Sequence, residues 1–165
     1  SITSDDKISY DKVITGVSYS KDDAKITLIG VEDRPGIAAS IFKPLFENNI
    51  SVDMIVQNVS ADNKRTDVTF TIKREDLDKS ANLIKKNSNL KFEKITFDDK
   101  VAKVSIVGAG MISHPGVAFK MFKALSDQNI NILVISTSEI KISVLIDENQ
   151  TQKAVVAIHT AFDLD

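Results

Sequence analysis

The chain repeats itself. The segment RPGIAASIFKPLFENNISVDMI, beginning at Arg34, is matched without a gap by HPGVAFKMFKALSDQNINILVI, beginning at His114, an offset of 80 residues. Pro35, Gly36, Ala38, Phe42, Lys43, Leu45, Asn49, Ile50 and Ile55 find identical partners at Pro115, Gly116, Ala118, Phe122, Lys123, Leu125, Asn129, Ile130 and Ile135. Upstream, AKITLIG is matched by AKVSIVG, with two extra residues in the second connecting loop. Any two strand–loop–helix–strand units share an apolar rhythm, but that rhythm does not place Pro-Gly and Asn-Ile in register. A duplicated unit restricts the fold more than any other feature of the chain. The length of 165 residues then divides into two small modules.

Each copy reads alike. Ala24 to Gly30 alternates apolar and polar residues, as a strand does. Asp33-Arg34-Pro35-Gly36 is a turn into a helix start, with an acid near the positive end of the helix dipole. Ile37, Ile41 and Leu45, flanked by Ala38 and Phe42, make one apolar helical face. Ser51 to Ser60 is a second strand, and Arg65 to Lys73 a third, joined through the polar turn Ala61-Asp62-Asn63-Lys64. Glu75 to Lys86 is a second helix, and Phe92 to Phe97 a fourth strand. The order is βαββαβ. The second copy runs through residues 101–108, 116–127, 132–137, 141–147 and 150–161, with no fourth strand. Val13 to Tyr19 is strand-like and precedes the first copy, so it is expected to complete the second sheet. The expected fold is α+β: two ferredoxin-like modules, interleaved. The first takes residues 21–99, the second residues 12–20 with 100–165, and residues 1–11 form a polar linker. Pro44 inside the first helix forfeits a backbone hydrogen bond, at a cost of about 3 kcal/mol, and predicts a kink or short break near Ser40.

Several function classes are excluded. There is no cysteine, and only His114 and His159 supply imidazole, so thiol chemistry and Cys- or His-rich metal sites are out. The net charge of -2 calls for no nucleic acid. No apolar run approaches the roughly 20 residues of a membrane helix. The polar start SITSDDKISYDK is no signal peptide, and a cytoplasmic location is expected. Gly108-Ala109-Gly110 imitates a dinucleotide fingerprint, but the third glycine falls on Ser113. With no catalytic constellation, no cofactor and no metal are expected.

The turn before each first helix points free N–H groups outward, which suits a carboxylate. Pro35-Gly36 and Pro115-Gly116 are expected to bring the backbone close to whatever binds, since glycine has no Cβ. Asp33 or Asp53 can take an ammonium group, and Gln57 can read a polar side chain. Asp33 also suits a plain turn or helix cap, Gln57 a hydrogen bond inside the core, and His114 a loop position.

The segments VDMIVQNVS, KVSIVGAGMISHPGVAFKMFKAL and NINILVISTSEIKISVLID resemble the regulatory region of aspartate kinases, which carries two ACT domains. The resemblance runs from Val13 to Phe162 and is strongest toward the small regulatory chain of the two-chain, lysine- and threonine-sensitive enzymes. It implies a non-catalytic module for feedback inhibition in aspartate-family amino-acid biosynthesis, without the kinase domain. It implies a threonine pocket of Asp33, Gly36, Ile37, Ala38 and Gln57, closed by Asn131 and Ile132 of a facing second module. It implies a lysine pocket of Asp53, Met111, His114, Val117, Ala118, Ser138 and Glu139. Ala118 departs from the hydroxyl residue frequent in the family, which removes a hydrogen bond from the lysine pocket. The implied partners are threonine, lysine or both, a second copy paired through ACT modules, and an aspartate kinase catalytic domain or chain. A sensor of another amino acid and a ligand-free dimerisation module are the alternative readings.

Overall fold

The structure, a computed structural model, describes residues 16–62, 64–108 and 114–164. Its strands are β1 (Gly16–Ser20), β2 (Asp23–Glu32), β3 (Val52–Val59), β4 (Arg65–Lys73), β5 (Lys94–Asp98), β6 (Val101–Val107), β7 (Val134–Thr137) and β8 (Lys141–Asp147). Its helices are α1 (Ile37–Glu47), α2 (Leu77–Lys85), α3 (Gly116–Asp127) and α4 (Thr151–Ala161). Residues 22–99 form one compact unit, and the described residues 16–21 and 100–164 form another.

The first unit holds a four-stranded sheet in the order β3-β4-β2-β5, antiparallel throughout. Alternate residues of the strands turn Ile26, Leu28, Val68, Phe70 and Ile72 toward α1 and α2, where Ile37, Ile41, Leu45 and Ile84 fill the space between. The second unit holds an antiparallel sheet in the order β1-β6-β8-β7, covered by α3 and α4 through Val104, Ile106, Val144, Met121, Leu125 and Ile158. β1 occupies the place against β6 that β5 occupies against β2. Val17 faces Ile106, just as Ile95 faces Leu28. The N-terminal strand therefore completes the second sheet, and the modules are interleaved; Val13 to Thr15 of the expected strand lie outside the described residues.

The repeated Asn-Ile has a structural cause. Asn49 and Asn129 both adopt positive φ, 60° and 58°, just beyond their helices. Behind them, the Ile50 N–H donates to the Leu45 carbonyl at 2.9 Å and the Ile130 N–H to the Leu125 carbonyl at 3.0 Å. This closes each helix with the same left-handed cap and tucks an isoleucine under it. A second matched feature lies across the sheets: the Thr27 and Thr69 hydroxyls pair at 3.2 Å, and Ser105 and Ser143, at the same topological positions, pair at 2.7 Å.

Three expectations are corrected. α1 runs unbroken through Pro44. The Ser40 carbonyl, which the missing Pro44 N–H leaves free, accepts instead from the Asn87 side chain at 2.8 Å. A bond from 47 residues away thus offsets the local penalty. The second helix of each module opens as one turn of 3₁₀ helix, at Arg74–Asp76 and Glu148–Gln150. There the Arg74 N–H reaches the Asp22 carbonyl, and the Glu148 N–H reaches that of Lys100. Finally, β2 is longer than the expected strand because a bulge between Leu28 and Val31 carries it past Gly30.

Candidate functional site

Each module presents a loop before its first helix and an outer strand beside that helix. In the second module these elements enclose a cavity of about 410 Å³, lined by His114, Pro115, Val117, Ala118, Thr137, Ser138, Glu139 and Ile142. The start of α3 supplies one wall. Its Val117 N–H turns back to the His114 carbonyl at 3.0 Å, while the other N–H groups of a first helical turn lack partners within the helix. The opposite wall is the tight turn between β7 and β8, closed by the Ser138 N–H donating to the Lys141 carbonyl at 2.8 Å. Glu139 stands exposed at the turn's tip, and its carboxylate makes no hydrogen bond or ion pair among the described residues. Val117 is fully buried, so its side chain belongs to the core and its backbone to the wall.

Five of the seven residues expected around lysine line this one cavity: His114, Val117, Ala118, Ser138 and Glu139. Met111 lies outside the described residues. Asp53 is an exposed residue of β3 in the first unit. Thr137 is a cavity residue that the sequence reading missed. It was available from the repeat, because the offset of 80 carries Gln57 onto Thr137. The sheets agree: Gln57 faces Val68, which faces Leu28, and Thr137 faces Ile142, which faces Ile106.

In the first module the corresponding loop holds Asp33 half-buried, its N–H donating to the Lys64 carbonyl at 3.0 Å. Its carboxylate makes no hydrogen bond or ion pair among the described residues, and α1 has no side-chain cap, so Asp33 is not the helix cap. Gly36 takes that place at φ 87°. A Cβ there would meet nothing within 4 Å, so it is the left-handed backbone and not a close approach within the chain that needs glycine. Gly116 does different work as the first residue of α3, where Pro115 at φ −60° is the cap. Gln57 is exposed on the outer strand, which removes the reading of it as a core residue. Ile37 is core and offers only its backbone; Ala38 is exposed in the first turn of α1. Asn131 and Ile132 belong to the second unit, where with Phe122, Ser126, Asn129 and Ile130 they line a surface cavity of about 630 Å³.

Among the described residues no helix is long and apolar enough to cross a membrane, and no three His, Asp or Glu side chains gather as a metal site.

Comparison with known proteins points one way. Two family models described as the ACT domain match residues 25–89 and 104–162. The chain is 49% identical over 166 aligned positions to an aspartate kinase of Pseudomonas fluorescens, covering 99% of this chain and 40% of that protein. It therefore spans well under half the length of the curated relatives it matches. Among solved structures it resembles the ligand-free regulatory subunit of aspartate kinase from Thermus thermophilus, with a TM-score of 0.86 and 40% identity over 92% of this chain and 99% of that one. It likewise resembles a chain from a structure of aspartokinase alpha and beta subunits, with a TM-score of 0.83 and 43% identity over 91% and 99%.

Proposed function

This chain belongs to the aspartate kinase family, of which it spans the two regulatory ACT domains, and from that premise we propose that it is a feedback sensor of free amino acids. The second-module cavity takes lysine and the first-module loop takes threonine. Binding at either shifts a catalytic aspartate kinase domain or chain toward an inactive arrangement in the cytoplasm. A coupling of about 1–3 kcal/mol between effector and kinase sites is enough for a 5- to 150-fold change in activity. Two effectors that favour one arrangement act in concert by population shift.

The observation that carries this reading is the chemistry gathered around the 410 Å³ cavity. A helix start offers N–H groups to an α-carboxylate. Thr137 and Ser138 offer hydroxyls, and Glu139 offers an unpaired carboxylate to a cationic group. In the first module Asp33 and Gln57 are the matching pair, an acid for the ammonium and an amide for a hydroxyl side chain. The equivalent roles of Asn131, Ile132, Asp53 and Met111 are part of the same proposal.

A second copy is part of it too. Ile55 and Ile135 are repeat partners, sit on the outer strands β3 and β7, and are 54% and 44% exposed. An outer strand with apolar side chains is a surface for pairing. The same observation favours the second reading, a dimerisation module without ligands.

Calorimetric titration of the chain with each of the twenty amino acids separates the two. Binding of lysine and threonine is expected, with Glu139→Gln weakening lysine by about tenfold and leaving threonine unchanged. A dimer by sedimentation that binds no amino acid would establish the second reading. Binding of some other amino acid alone would replace the effectors named here.

A further inference from the structure

The end of β2 that leads into the loop before α1 is tied down at both backbone polar groups of one residue, Gly30. At the β2 bulge Ile29 and Gly30 together oppose Asp67 alone, and Gly30 has φ 69°. The Gly30 N–H donates to Asp67 Oδ1 at 2.9 Å, and the Gly30 carbonyl accepts from Arg65 Nη1 at 3.1 Å. Three residues on, the Asp33 N–H is held by the Lys64 carbonyl, and the Arg34 guanidinium donates to the Asn89 carbonyl at 2.9 Å. Among the described residues, the second module does not repeat the side-chain part. At the matching glycine, the Gly108 N–H donates to the Ile140 backbone carbonyl at 2.8 Å. In the β8 register Lys141 stands where Asp67 stands in β4, and Glu139, two residues earlier in the turn, is the counterpart in sequence of Arg65. The clamp is therefore no requirement of the shared fold.

We propose that Asp67 and Arg65 are positioning residues for the first-module ligand site: by gripping both polar groups of Gly30 they fix the bulge from which Asp33 and the start of α1 project. This rests on the reading of that loop as an amino-acid site. A bulge re-aims the strand that follows it, and a preset loop spares a ligand the cost of ordering it. Neither side chain touches the ligand; both act through the backbone.

The test uses the whole chain with L-threonine and L-lysine as probes, together with amide hydrogen exchange without ligand. Asp67→Ala is expected to speed exchange over residues 30–34 and to weaken threonine about tenfold, the effect of leaving one N–H unsatisfied. Lysine affinity stays within about twofold, because the second module keeps its own backbone tie. Asp67→Asn retains an acceptor at the same place and restores both readouts. A purely structural role would not give threonine loss with lysine unmoved and rescue by Asn. Unchanged threonine affinity in Asp67→Ala, equal loss of both amino acids, or an Asn variant as impaired as the Ala variant would each overturn the proposal. If the wild-type chain binds neither amino acid, the sensor reading falls by that result alone, and the exchange comparison still decides whether the clamp holds the loop.

Discussion

The two modules share a sheet order, a helix layer, a left-handed helix cap and a cross-strand hydroxyl pair, yet differ at one corner. In the first, the corner is a long β3–β4 connection over residues 60–64, a bulge at Gly30, and a loop that enters α1 through a glycine at φ 87°. In the second, a connection of three residues, 138–140, brings Glu139 against the start of α3 and closes a cavity. Features that seal a core recur in both copies, because a helix end or a sheet row has few solutions. The corner that meets solvent is free to differ, and so one fold can offer two chemistries.

The largest break in the comparison lies in independence. Residues 22–99 contain every strand of their sheet, whereas a fragment starting at 101 lacks β1. A 22–99 fragment is expected to unfold cooperatively on heating, and a 101–165 fragment to show no cooperative transition. A melting curve from the second fragment as sharp as that from the first would sink the asymmetry.

Where the copies agree, they should cost the same. Leu45 and Leu125 are repeat partners and both are fully buried. Replacing either with Ala should destabilise by about 3–4 kcal/mol, measured by urea unfolding. A difference of more than about 1 kcal/mol between them would mean that the two cores relax unequally.

Three glycines grade the divergent corner. Gly30→Ala is expected to cost about 1–2 kcal/mol, because φ is 69° and a Cβ would meet the Glu93 side chain at 2.5 Å. Gly36→Ala should cost about 1 kcal/mol for its φ alone. Gly116 is the first residue of its helix, so Gly116→Ala should stabilise by about 0.5 kcal/mol or less, below the figure for a helix interior. Equal effects at Gly36 and Gly116 would show that the repeated Pro-Gly does one job and not two.

Asn87→Ala strips the Ser40 carbonyl of its donor beside Pro44 and should cost about 1 kcal/mol. In the Pro44→Ala background, where a helical N–H returns, the cost should shrink. A double-mutant cycle by thermal denaturation reads the coupling.

The smallest effect lies in the β3–β4 connection. The Ser60 hydroxyl and then the Lys64 N–H hold the Asp62 carboxyl below its ordinary value of 3.8. A depressed carboxylate contributes stability that is present above its unfolded value and is lost as pH falls through the folded one. The group is exposed, so the loss should be detectable as a titration shift and not as unfolding. Ser60→Ala should raise the Asp62 titration midpoint, followed by carboxyl carbon NMR.

Most of the architecture was legible because duplication wrote it twice. The borrowed strand could be inferred from a missing one, and the paired helices from matched apolar faces. What was not legible came from distant partners. Nothing near Pro44 announces Asn87, and nothing near Gly30 announces Asp67, 37 residues away. At the cavity, His114, Val117, Ala118, Ser138 and Glu139 followed from family resemblance, but Thr137 did not. The internal offset from Gln57 reaches it, and the exposure of Gln57 among apolar neighbours follows from its place: an outer strand leaves even its helix-facing row open to water.

β1 pairs Val17 with Ile106, so this strand, once synthesised, waits for a partner almost 90 residues behind it. At roughly 5–20 residues per second that interval is on the order of ten seconds, long enough for the intervening module to close its own sheet. Nascent β1 must stay unengaged while β5, its counterpart, docks against β2. The order of synthesis therefore runs against the order of assembly. A permuted gene that moves the β1 segment behind α4 would let each module mature in turn.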